Sequence, residues 1–109
     1  MLISSYKLEI NWEVGCCGQW QSATASLSED ISQALPRLVS AIKDARYEPA
    51  EKTLRLIKDS RYIYIYPKRI YISYIQSSDE AHVLIEWTKD VLNEAYSESA
   101  KVTESKRVK

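Results

Sequence analysis

Between Arg61 and Ile75 the sequence reads RYIYIYPKRIYISYI, and this alternation leaves little freedom in what the chain can fold into. Tyr and Ile alternate from Tyr62 to Tyr66, Pro67, Lys68 and Arg69 interrupt, and alternation resumes at Ile70. A period of two belongs to strands whose faces meet different surroundings. β-branched Ile and aromatic Tyr also suit a pleated surface. The stretch therefore predicts two strands joined by a tight turn. Ile63, Ile65, Ile70 and Ile72 share a face that belongs under helices. Tyr62, Tyr64, Tyr66 and Tyr71 share the outward face, with Lys68 and Arg69 at the turn.

The flanking sequence supplies further strands and two helices. Tyr6–Val14 alternates as a half-buried strand, with Leu8, Ile10, Trp12 and Val14 on one face and Lys7, Glu9, Asn11 and Glu13 on the other. Gly15-Cys16-Cys17-Gly18 makes a loop, and Gln19–Leu27 returns with Ala23, Ala25 and Leu27 inward. Ser28 is read as an N-cap ahead of Glu29 and Asp30. Pro36 divides the next segment into a short turn over Glu29–Leu35 and a helix restarting near Pro36, with Leu35, Leu38, Val39 and Ile42 as its apolar stripe. Arg46–Glu51 is read as a connection, because Pro49 makes a poor strand centre. Thr53–Lys58 is a strand with Leu54 and Leu56 inward, and Asp59-Ser60 is a two-residue hairpin loop. Ser77 and Ser78 precede a helix whose apolar spacing lasts to about Tyr96. The prediction is an α+β fold, ordered ββ-α-βββ-α, with two helices on one face of a five-stranded, largely antiparallel sheet. Met1–Tyr96 is expected to form one domain and Ser97–Lys109 a mobile polar tail.

Bulk properties narrow the function classes. The chain has 109 residues, 15 basic and 15 acidic, so nothing draws it as a whole towards nucleic acid or anionic membrane. No apolar run approaches the roughly 18 residues of a membrane span, and MLISSYKLEI turns polar too early for a signal peptide. A cytoplasmic setting is the expectation. Two Cys provide no disulfide framework.

Three segments carry a resemblance. DISQALPRLVSAIKDARY (Asp30–Tyr47), YPKRIYIS (Tyr66–Ser73) and DEAHVLIEWTKDVLNEAY (Asp79–Tyr96) together resemble the N-terminal domain of small two-domain iron–sulfur proteins of anaerobic archaea and bacteria. The similarity covers roughly Met1 to Tyr96. In that family a linker and a compact four-cysteine iron–sulfur module come next. This sequence stops where the linker would begin, so the cluster-carrying role is not carried over. The resemblance implies an accessory or assembly module in an anaerobic iron–sulfur or metalloenzyme pathway. This chain alone would bind no cofactor, and an iron–sulfur cluster would come only through a partner.

The chemistry-bearing residues give three sites to weigh. Cys16 and Cys17 in their glycine-flanked loop could contact a soft metal or a cluster edge, form a strained vicinal disulfide, or simply be small loop residues. Two thiols do not complete a tetrahedral site, and the plain loop is favoured. His82 has Ser78, Asp79, Ile85 and Glu86 one turn away, which is no recognised ligand set, so a solvated helix position is expected. The tyrosine face, with Arg55, Arg61, Lys68 and Arg69 nearby, reads as a protein interface, an idle sheet face, or a platform for single-stranded nucleic acid. Four outward Tyr rings expose roughly 300–400 Å², a size at which a patch often has a use. A protein partner or a second copy of the chain is preferred, and nucleic acid is the alternative. No base sits at a recognisable spacing from a hydroxyl nucleophile, and no glycine-rich phosphate loop exists, so a non-catalytic role is expected.

Overall fold

The computed structural model describes residues 2–16 and 18–108, and the side chains as far as residue 98. The chain runs β1 (Tyr6–Gly15), β2 (Gly18–Leu27), α1 (Leu35–Leu38), β3 (Arg46–Glu48), β4 (Thr53–Lys58), β5 (Arg61–Ile65), β6 (Arg69–Ile75) and α2 (Ser78–Val108). The strands form one antiparallel sheet in the order β1-β2-β6-β5-β4-β3. The class is α+β as expected, but the sheet has six strands instead of five. The additional strand is β3, in the segment read as a connection. Pro49 does not prevent it, because the strand ends at Glu48 and lies on the sheet edge.

One face of the sheet forms the core. Ala23, Ala25, Leu54, Leu56, Ile63, Ile65, Ile70 and Ile72 are buried there against Leu35 and Leu38 of α1 and Ala81, Ile85 and Leu92 of α2. Each large side chain buried in this way contributes about 1.5–3 kcal/mol. β5 and β6 pair Ile63 with Ile72 and Ile65 with Ile70, so the isoleucine face continues across both strands. On β1, Leu8 and Ile10 pack against the core, whereas Trp12 and Val14 are 66% and 75% exposed. Strand periodicity places all four on the buried face. Trp12 and Val14 keep the predicted direction, but the β1–β2 hairpin carries them beyond the cover of the helices.

The helices differ from expectation at their ends. α1 is a single turn with Pro36 at its start; Val39 and Ile42 follow it half-buried. Asp30 rather than Ser28 caps the turn before it: the Ser32 N–H donates to Asp30 Oδ1 at 2.8 Å, while Ser28 Oγ donates to the Ser5 carbonyl. Hydrogen bonds from Ser32 hold the Asp30 carboxyl below its ordinary range. This contribution is present at neutral pH and is lost as pH falls through the lowered value. Ser77 Oγ caps α2 by accepting the Glu80 N–H, and Arg61 pairs with Glu80 in its first turn. α2 runs to Val108, past the end of the apolar spacing at Tyr96. No described helix is long and apolar enough to cross a membrane.

The β4–β5 hairpin closes through Asp59 and Ser60, with φ of 52° and 64°. Positive φ at both loop residues is the type I′ geometry that matches strand twist. Neither residue is Gly, and the left-handed region costs a residue with a Cβ roughly 1–2 kcal/mol. Ser60→Gly is expected to raise unfolding stability by about 1 kcal/mol in urea titration. An unchanged or lowered midpoint would contradict this account of the turn.

Candidate functional site

The sheet face opposite the core is not covered by either helix. Strand alternation places Trp20, Ser22 and Thr24 of β2, Tyr71 and Ser73 of β6, Tyr62 and Tyr64 of β5, and Arg55 of β4 on it. Tyr62 is exposed, and Tyr64, Tyr66 and Tyr71 are partly exposed. The sheet register aligns one row of side chains across all six strands. Glu9 pairs with Thr24, Thr24 with Tyr71, Tyr71 with Tyr64, Tyr64 with Arg55, and Arg55 with Arg46. The row thus passes from an acid through two tyrosines to two arginines.

The arginine end is electrostatically unusual. Like charges directly opposite one another in a sheet are destabilising. Among the described residues no carboxylate lies within ion-pair distance of Arg46, Arg55 or Arg69. The Arg55 guanidinium lies 4.7 Å from the Tyr62 ring centroid, and its Nε is buried with no hydrogen-bond partner among the described residues. Arg69 lies 4.7 Å from the centroid of Tyr66 in the same manner. Ring faces attract these cations. They also hold the guanidinium groups near the sheet surface.

Tyr66, Pro67 and Lys68 form the β5–β6 turn, closed by the Tyr66 N–H donating to the Arg69 carbonyl at 2.7 Å. The Leu27 N–H donates to the Lys68 carbonyl and the Ile31 N–H to the Pro67 carbonyl, both at 2.8 Å. These bonds fix the turn to the end of β2 and the loop after it. Thr24, Tyr66, Arg69 and Tyr71 line a shallow depression of about 310 Å³ beside the turn. Of the residues expected near the tyrosines, Arg61 is not there. It points to the helix side and pairs with Glu80.

Two aromatic residues extend the face beyond the sequence prediction. Tyr74 stacks on Trp20 with ring centroids 5.1 Å apart. A β-bulge brings it there: Ser73 pairs with Ser22 and Ile75 with Gln21, leaving Tyr74 as the additional residue, at φ 60°. The bulge also returns Ile75 to the core. The indole of Trp20 lies against Gly15, where a Cβ would stand 2.8 Å from the ring. Gly15 is therefore needed for close approach. A signal for Trp20 is present in the sequence, since Trp20 continues the outward phase of Ser22 and Thr24. Tyr74 is signalled only by Ile75 falling out of phase with Ile72.

The remaining candidate residues do not join this face. Cys16 is exposed in the loop between β1 and β2, and Cys17 lies outside the described residues. His82 is an exposed position of α2. Among the described residues no three His, Cys, Asp or Glu side chains gather as a metal ion would require. A second depression, of about 420 Å³, lies on the helix side against Ile42, Leu56, Trp87 and Val91.

Fold and site together define an α+β sheet protein with one face covered by helices and the other open, aromatic and arginine-edged. No protein-family model, curated protein or solved structure matched the chain in comparison.

Tyr74 combines a favourable ring stack with an unfavourable backbone. Tyr74→Ala loses the stack and keeps the strain, whereas Tyr74→Gly loses the stack and relieves it. The glycine variant should be the more stable of the two by about 1 kcal/mol in denaturant titration. Equal stabilities would show that the bulge does not hold this residue in the left-handed region.

Proposed function

We propose that this chain is a non-catalytic docking module that binds a protein through the open face of its sheet. The observation that carries the reading is the concentration of Trp20, Tyr62, Tyr64, Tyr66, Tyr71 and Tyr74 beside Arg55 and Arg69 on that face. Tyr, Trp and Arg are the residues that most often anchor protein interfaces. Rigid rings lose little conformational entropy on binding, and the arginines suit carboxylates at the edge of a partner's surface. Lys68 and Arg69 at the turn extend that cationic edge. The proposed setting is an anaerobic iron–sulfur or metalloenzyme pathway in the cytoplasm. The resemblance of Asp30–Tyr47, Tyr66–Ser73 and Asp79–Tyr96 supports it. In that setting the partner holds the cluster, and Cys16 and Cys17 are the candidate thiols of this chain for contact with it.

A single-stranded nucleic acid is the second reading, favoured by the opposed pair Arg46 and Arg55 next to Tyr64 and Tyr71. A phosphate could relieve the like-charge contact while bases stack on the rings. Protein binding and nucleic-acid binding differ in salt dependence, because phosphate contacts release counterions.

Tyr64→Ser combined with Tyr66→Ser tests the first reading. The double variant should keep the far-UV circular dichroism of the parent and lose about tenfold or more in affinity for its protein partner by surface plasmon resonance. Unchanged affinity would place the interface elsewhere. Tight binding of mixed-sequence oligonucleotides at low salt, weakening steeply as salt rises, would favour the second reading instead.

A further inference from the structure

We propose that the free edge of β1 joins the same edge of a second copy, giving a symmetric dimer with one continuous sheet. This surface is separate from the aromatic face.

β1 is a terminal strand of the sheet, and it is ten residues long. Its inner edge faces β2, where the Ser28 N–H donates to the Ser5 carbonyl at the base of the ladder. Hydrogen-bonding direction alternates along an antiparallel strand. Backbone groups of Lys7, Glu9, Asn11 and Glu13 therefore point to β2. Those of Tyr6, Leu8, Ile10, Trp12 and Val14 point away from the sheet. A long unpaired edge of this kind is a template for another strand.

The side chains select one register. If Ile10 faces Ile10 of the second copy, Lys7 faces Glu13, Leu8 faces Trp12, and Tyr6 faces Val14, each contact occurring twice. Opposite charges meet on the open face, and apolar groups meet on the helix face. Trp12 and Val14, exposed because their hairpin projects past the helices, come to lie beside Leu8 and Tyr6 of the second copy. Tyr6 is at the end of β1 nearest α2, with Lys89 5.9 Å from its ring centroid. Each projecting tip thus reaches the covered end of the other copy.

Other registers fail on the same sequence. A shift that pairs odd with even positions sends every side chain to the wrong face. Centring on Glu9 sets two glutamates face to face, and centring on Asn11 sets Glu9 against Glu13 twice. Centring on Leu8 leaves Trp12 and Val14 uncovered, and centring on Trp12 leaves Lys7 without an acid opposite. The favoured register supplies about ten backbone hydrogen bonds, comparable to a typical interface. It also sets the two open aromatic faces on the same side of one sheet.

Sedimentation velocity of the full chain, from micromolar to millimolar concentration, reads the result. The chain should dimerise. Lys7→Glu alone and Glu13→Lys alone each place like charges together twice and should weaken the dimer by about tenfold or more. The double variant restores opposite charges and should recover affinity to within about threefold of the parent. Glu13 also accepts a hydrogen bond from Ser22, so thermal unfolding is measured for each variant. Trp12→Pro removes only an outward N–H from an exposed edge position, and it should abolish the dimer while the monomer stays folded. A monomer at every concentration would overturn the proposal. So would a dimer insensitive to Trp12→Pro and to the charge exchange. The Tyr64→Ser/Tyr66→Ser variant should still dimerise. A dimer lost in that variant but kept in Trp12→Pro would assign self-association to the aromatic face.

Discussion

Burial of a single sheet face against α1 and α2 is the interaction on which the rest of the molecule depends. Ile63, Ile65, Ile70 and Ile72 are fully buried in the two strands at the middle of the sheet, and Leu54, Leu56, Ala23 and Ala25 extend the same layer outward. Side chains on a strand alternate between faces, so this burial determines what the opposite face displays. The rings of Tyr62, Tyr64 and Tyr71 lie on the uncovered face because the isoleucines between them are buried on the other. A slip of one residue in β5 or β6 would expose the isoleucines and bury tyrosine hydroxyls, which fixes the register strongly. The open face is thus a direct consequence of the core, and its chemistry was free to be chosen independently.

Local backbone irregularities adjust that arrangement at its borders. The bulge at Tyr74 changes which face the end of β6 presents, moving Ile75 into the core and Tyr74 onto Trp20. Gly15 leaves space for the Trp20 ring on the facing strand. The type I′ loop at Asp59 and Ser60 holds β4 and β5 in the register that puts Arg55 opposite Tyr64. Each irregularity costs some stability or restricts a side chain. Two of them serve the aromatic face directly.

The inner part of this fold is readable in the sequence, and its borders are not. Period-two alternation in Tyr6–Val14, Thr53–Lys58 and Arg61–Ile75 is strong because each strand separates two environments. The four tyrosines on the open face follow from it. Arg46–Glu48 escapes detection as a strand because three residues contain too little alternation, and the nearby Pro49 argues against it. Helical spacing at Val39 and Ile42 overstates the extent of α1, although the helix ends at Leu38 and both side chains still reach the core from a turn. Exposure of Trp12 and Val14 depends on where the helices stop covering the sheet, a tertiary fact that strand periodicity does not contain. The opposition of Arg46 and Arg55 needs the β3–β4 register, and Arg61 needs the position of Glu80 on α2.

The open sheet face is the surface proposed to meet another protein. Hydroxyl-radical footprinting of the chain, free and bound to the protein that co-purifies with it, tests this most directly. Oxidation at Trp20, Tyr62, Tyr64, Tyr66, Tyr71 and Tyr74 should fall on binding, while Trp87 and Tyr96 of α2 keep their rates. Protection confined to α1 and α2, with the sheet tyrosines oxidised as fast as in the free chain, would contradict the account.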